Sequence, residues 1–170
     1  MKCKILTVPH PKLHQKSSAV TAGDRNIPKL VKNLKDTLQA QRDPEGVGLA
    51  APQIGSLKRI FVVKINNQLE VFINPRITWK SKKLNIEALP PEKWLLEGCL
   101  SIPGIYGLVK RPHRIKIAYT DEKGKEREAE FKSPTATCIQ HEYDHLEGIL
   151  FTERVLEQGQ KLYRQEDLQI

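Results

Sequence analysis

The stretch RIFVVKINNQLEVFI, residues 59–73, decides the fold class. Arg59 to Ile65 is an apolar run of strand length, rich in β-branched residues. Asn66-Asn67 supplies two residues that tolerate a tight turn, and Leu69 to Ile73 returns as a second strand. Downstream, Ile115, Ile117 and Tyr119 alternate with polar residues. Asp121-Glu122-Lys123-Gly124 turns the chain there, and Glu126 to Phe131 comes back as a second hairpin. Upstream, Ile27, Leu30, Val31, Leu34 and Leu38 fall on one helical face. That spacing predicts a helix over 27–40, with Asp24 or Asn26 as cap, Pro28 in the first turn and Asp43-Pro44-Glu45-Gly46 as its end. Residues 9–28 are rich in turn formers and read as a surface arm. Residues 135–150 read as a helix, and 153–166 as a last helix with Gly159 as its weak point. Helices and antiparallel hairpins are segregated rather than alternating as βαβ. The expected class is therefore α+β: short antiparallel β-sheets packed around a central helix, the whole of residues 1–170 forming one catalytic domain.

Composition narrows the function classes. With 170 residues, 39% hydrophobic and 28% charged, the chain is expected to be an ordinary folded domain rather than a disordered one. The longest apolar runs are a few residues, so no spanning helix is expected. Ile5-Leu6-Thr7-Val8 is too short for a secretory core, and a cytoplasmic location is the expectation. Cys3, Cys99 and Cys138 cannot all pair with one another, which in an unexported chain points to thiols or metal ligands. Residues 1–85 carry 16 Lys and Arg against 5 Asp and Glu, whereas residues 86–170 carry 12 against 15. The basic half suits an anionic partner, but no nucleic-acid motif accompanies it, and specific DNA binding is not expected.

The strongest chemical signal is His141-Glu142-Tyr143-Asp144-His145. Histidines at i and i+4 lie one turn apart on one helix face, so both imidazoles can reach one ion. Glu142 lies beside the first of them, where a carboxylate can manage the protons of an activated water. A catalytic site needs a third protein ligand, and Cys99, Cys138 and Glu147 are all candidates. Cys138, on the same helix, reads as a packed core thiol. Cys99 lies in Glu97-Gly98-Cys99-Leu100-Ser101-Ile102-Pro103-Gly104, where Gly and Pro mark a loop that can be aimed.

Three segments, GVGLAAPQIG (46–55), EGCLSIPG (97–104) and CIQHEYDHLEGILF (138–151), resemble the three signature motifs of the peptide deformylases, in the same order. The opening ILTVPHPKL and the 27–40 helix are similar to that family too. The resemblance implies removal of the formyl group from N-formylmethionine on nascent peptides. It implies that Cys99, His141 and His145 bind one divalent ion, physiologically Fe2+, with Zn2+, Ni2+ or Co2+ able to replace it. It implies a metal-bound water as nucleophile and Glu142 as general base and acid. The side-chain amide of Gln53 and the backbone N–H of Leu100 then serve the developing charge on the formyl oxygen. Val47, Gly48, Glu97 and Cys138 are implied at the substrate site, with an apolar pocket for the methionine thioether. Glu97 and Arg111 match positions near the site and read as an ion pair holding the Cys99 loop. Formylmethionyl nascent peptides are the implied partners, with transient ribosome association and a monomeric state.

The sequence departs from the family's usual pattern in two places. Residues 81–96 are longer and more irregular, with Pro90-Pro91 interrupting regular structure; Trp94 and Leu95 are expected to pack against the body. The tail from 153 to 170 has three basic and four acidic residues, so any ribosome approach is expected through the basic 1–85 half. Two other readings share parts of the pattern. A zincin-like endopeptidase uses the same His-Glu-x-x-His, but its third ligand follows that helix. A metal-stabilised nucleic-acid-binding module leaves Gln53 and Glu142 without a role.

Overall fold

The computed structural model describes residues 1–42 and 45–168; part of the expected end of the first helix, Asp43-Pro44, lies outside them. In chain order the elements are α1 (Ile27–Gln39), β1 (Gly48–Ala50), β2 (Ile60–Ile65), β3 (Gln68–Lys80), α2 (Asn85–Ala88), β4 (Glu97–Cys99), β5 (Ile102–Gly107), β6 (Arg114–Thr120), β7 (Glu126–Lys132), α3 (Thr135–Leu146), α4 (Phe151–Glu157) and β8 (Leu162–Arg164). Strands β1-β2-β3-β6-β7 form an antiparallel five-stranded sheet in that order, and β4-β5-β8 a three-stranded one. The fold is α+β. No helix among the described residues is long and apolar enough to cross a membrane.

Strand β2 shows why residues 60–63 are apolar without alternation. Phe61 and Val63 face α3, packing with Phe72, Ile115, Ile117, Ile139 and Leu146. Ile60 and Val62 face α1, packing with Val31, Leu34, Leu38 and Leu49. A strand covered on both faces has no polar side to show. Asn66 and Asn67 both take positive φ, 49° and 63°, as a two-residue hairpin turn with right-handed strand twist demands. A third cluster, Leu13, Ile102, Val109, Leu150, Phe151 and Val155, joins the small sheet to α4.

Four expectations need correction. The helix read over 135–150 stops at Leu146, because Gly148 takes φ 73° and turns the chain. The helix read over 153–166 is instead α4, ending at Glu157. Gly159 at φ 64° reverses the chain, and Leu162–Arg164 adds to β5 as an edge strand. Strand β3 runs to Lys80 rather than ending at Ile73, passing Pro75 by a register shift. In the irregular 81–96 segment, the Trp94 indole N–H donates to the carbonyls of Ile86 and Leu89; the side chain folds back on its own segment and stays 37% exposed, rather than packing against the body. Leu95 also stays 57% exposed.

Candidate metal centre

Helix α3 lies against β1 and β2 and presents His141 and His145 one turn apart, ring centroids 5.1 Å from each other. The β4–β5 hairpin turns at Leu100-Ser101 and delivers Cys99 to the same point. One donor atom from each of Cys99, His141 and His145 lies within 4.8 Å of the others. The Cys99 Sγ to His145 Nε2 separation is 3.3 Å. A tetrahedral ion with sulfur at about 2.3 Å and nitrogen at about 2.0 Å holds its donors roughly 3.5 Å apart, so this trio fits one divalent transition-metal ion. The other two candidates for third ligand stand elsewhere. Glu147 pairs with Arg59 at 2.6 Å and Lys16 at 2.8 Å. Half-buried Cys138 packs on the core cluster, where burial pushes its thiol well above the ordinary range.

The surroundings of the trio are ordered from behind. Glu97 Oε2 lies 2.9 Å from His141 Nδ1, leaving His141 Nε2 as the free nitrogen. Arg111, side chain only 6% exposed, grips both oxygens of Glu97 and reaches Asp144 Oδ2 at 2.8 Å. Arg154 adds a second guanidinium on Asp144, at 2.9 Å. Burial alone would raise the Glu97 carboxyl, but Arg111 and His141 outweigh it and hold it at about 2. Burial likewise works against a Cys99 thiolate. His145 and His141 outweigh it, so the thiol lies well below its ordinary value.

Glu142 differs from these groups. Its side chain is buried, its Oε2 has no hydrogen-bond partner among the described residues, and burial pushes its carboxyl up to about 7. A Cβ built on Gly48 would lie 2.4 Å from Glu142 Oε1. The missing side chain at Gly48 is what admits the carboxylate, a reason not visible in the sequence. Gln53 follows β1 in a 3-10 turn. Its Oε1 accepts from the Ala50 N–H at 2.8 Å, so its Nε2 points to Ser101 Oγ at 3.1 Å and Cys99 Sγ at 3.5 Å. The N-terminal arm ties these two loops together, its Leu6 N–H donating to Gln53 O at 2.7 Å and its Val8 N–H to Ser101 O at 3.0 Å. Leu100 packs with Leu34 and Leu38 at the foot of β1. Val47, 53% exposed, immediately precedes β1, the edge strand of its sheet.

Arg111 and Glu97 are marked by the sequence, whereas Ser101, Asp144 and Arg154 enter the network through contacts seen in the structure. Asp144 was the findable one: three residues past His141 on the same helix, an acid there can brace whatever steers that histidine.

The sequence matches the family described as polypeptide deformylase over residues 2–161. It is 40% identical over 152 residues to peptide deformylase 1 of Ralstonia nicotianae, covering 88% of this chain and 83% of that one. The fold is similar to the crystal structure of the Thermotoga maritima peptide deformylase, with TM-score 0.79 and 33% identity over 91% of this chain and 97% of that one. It is also similar to the Met-Ala-Ser-bound class I type b peptide deformylase of Acinetobacter baumannii, with TM-score 0.78 and 28% identity over 91% and 98% of the two chains.

Proposed function

Since the chain belongs to the peptide deformylase family, whose members remove the N-formyl group from nascent peptides, we propose that it does so with Cys99, His141 and His145 as ligands to a single divalent ion and Glu142 as its proton shuttle. The observation that carries the reading is the convergence of one thiol and two imidazoles beside a buried, unpartnered carboxylate. Ferrous iron is the proposed ion, with Zn2+, Ni2+ or Co2+ as substitutes. When bound, it supplies Lewis acidity that activates water at neutral pH and polarises the formyl group.

The chain's own residues do the rest. Glu142 accepts the proton of the attacking water and delivers it to the departing amine as the C–N bond breaks, giving formate and a free methionine amine. Burial of the Glu142 side chain favours its protonated form, the form that hands a proton to the amine. Gln53 Nε2, fixed by the Ala50 N–H on its other end, donates to the formyl oxygen as charge develops there, together with the Leu100 N–H. Glu97 and Arg111 are positioning residues that hold His141.

The open edge of β1 suits an extended peptide lying beside Val47 and Gly48 as an added strand. The A. baumannii relative is named with a bound Met-Ala-Ser tripeptide, a ligand of the class proposed to lie here. The methionine side chain is proposed to enter an apolar pocket lined by Val47, Cys138 and part of α3. Residues 1–170 are proposed to act as one monomeric, cytoplasmic catalytic domain, with any transient ribosome contact made through the basic 1–85 half.

The test is formate release from a formyl-Met peptide by anaerobically prepared protein. Glu142→Gln is expected to lower the rate about 100- to 10,000-fold while keeping its metal. A metal-replete variant with normal turnover contradicts the assignment. Cleavage of an internal peptide bond instead of formate release would favour the endopeptidase reading.

A further inference from the structure

Behind α3, on the side away from Glu142, a polar cavity of about 200 Å3 lies between the end of β3, the segment after β5 and the start of α4. Four cations line it: Lys80 at the end of β3, Lys110 and Arg111 on the segment after β5, and Arg154 on α4. Asp144 is the lone carboxylate of the lining, divided between Arg111 at 2.8 Å and Arg154 at 2.9 Å; Glu97 and Glu157 pair with the same two guanidiniums from outside the lining, so the uncompensated positive charge is that of Lys80 and Lys110. Lys80 and Lys110 form no ion pair among the described residues, and the Tyr143 hydroxyl on the same wall makes no hydrogen bond among them. The Lys110 backbone is clamped on both its N–H and its carbonyl by the Gln158 amide, at 2.7 and 3.1 Å, so the cationic wall is rigid.

We propose that this notch is a binding site for a phosphate group. The lining leaves a surplus of positive charge inside a concave surface, the arrangement that concentrates anions. Its donors approach from three different elements. That suits a tetrahedral oxyanion with several acceptor oxygens better than a planar carboxylate, which one guanidinium fork satisfies. An amine or neutral ligand would meet like charge or unanswered donors. The phosphate can be free or carried on an RNA backbone, and Lys82, Lys83 and Arg114 lie close by on the chain bordering the notch. The cavity is separate from the metal centre, although Arg111 reaches both through Glu97.

The test is calorimetric titration of the metal-loaded protein with inorganic phosphate, and separately with a short single-stranded oligoribonucleotide. An excess of the deformylated product peptide is present throughout to cover the metal centre. Wild-type protein is compared with Lys80→Ala/Lys110→Ala, an exposed and a half-buried lysine outside the proposed catalytic groups and the core clusters. The expected result is saturable binding that weakens about tenfold in the double variant and falls with salt. Circular dichroism and formate release of the variant are expected to match wild type. Saturation by inorganic phosphate points to a free phosphorylated ligand, and saturation by the oligonucleotide alone points to a backbone phosphate. Equal affinity in wild type and double variant, or no saturable binding of either probe, overturns the proposal.

Discussion

The two sides of α3 carry opposite designs. Glu142 faces Gly48 of β1, and its Oε2 is buried without a partner among the described residues, as is His145 Nδ1. On the other side, Asp144 is held by two guanidiniums, and Arg111 locks Glu97 onto His141. A buried polar atom without a partner costs about 1–3 kcal/mol. The unsatisfied side therefore reads as reactive surface and the satisfied side as its brace. The same dozen residues of helix serve both, because successive side chains are rotated by about 100°. Stability and chemistry should consequently separate on mutation.

The largest effect should come from breaking the brace on its own side. Arg111→Met removes the cation between Glu97 and Asp144, leaving two buried carboxylates short of a partner. A loss of about 3–5 kcal/mol is expected from urea denaturation, along with weaker metal retention. Glu142→Gln should do the reverse: activity collapses while the urea midpoint stays or rises, since a buried charge is replaced by a neutral amide. Gly48→Ala tests the same side by crowding, because its new methyl would collide with the Glu142 carboxylate. It should destabilise by about 1–3 kcal/mol and lower kcat more than KM changes, as measured by steady-state formate release.

Acid sharpens the contrast. The Glu97 carboxyl is held at about 2, below its unfolded value, so its contribution to stability is fully present above about pH 4.5. That contribution should drain away as pH falls toward 2. Asp144 is shifted in the same direction, burial opposing and Arg154 and Arg111 prevailing. Denaturation midpoints measured from pH 5 to pH 2.5 should fall steeply in wild type and more shallowly in Arg111→Met. The smallest effect belongs to neither side. The Lys64–Glu45 pair is exposed at both ends, and Lys64→Ala should change stability by less than about 1 kcal/mol.

What the sequence showed, and what it hid, follows the same physical lines. Residues 60–73 and 115–131 were legible because strand periodicity and turn residues are local signals. The His141-His145 pairing was legible because one helical turn fixes it. Strand β5 was hidden by Pro103, Gly104 and Gly107, residues that usually break a ladder. Gly107 is needed there because a side chain would strike Val155. Strand β8 was hidden because it is three exposed residues with no apolar alternation of their own, added to the edge of β5. Ser101 and Arg154 act through contacts 48 and 10 residues away in sequence, which no spacing rule reaches. The role of Gly48 depends on a helix nearly a hundred positions downstream.

The most direct test of the central claim is X-ray absorption on anaerobically prepared, iron-loaded protein, wild type against Cys99→Ala. One sulfur neighbour at about 2.3 Å with two imidazole nitrogens is the predicted first shell, the sulfur vanishing in the variant. A wild-type ion with no sulfur neighbour, or a variant whose sulfur signal persists, contradicts it.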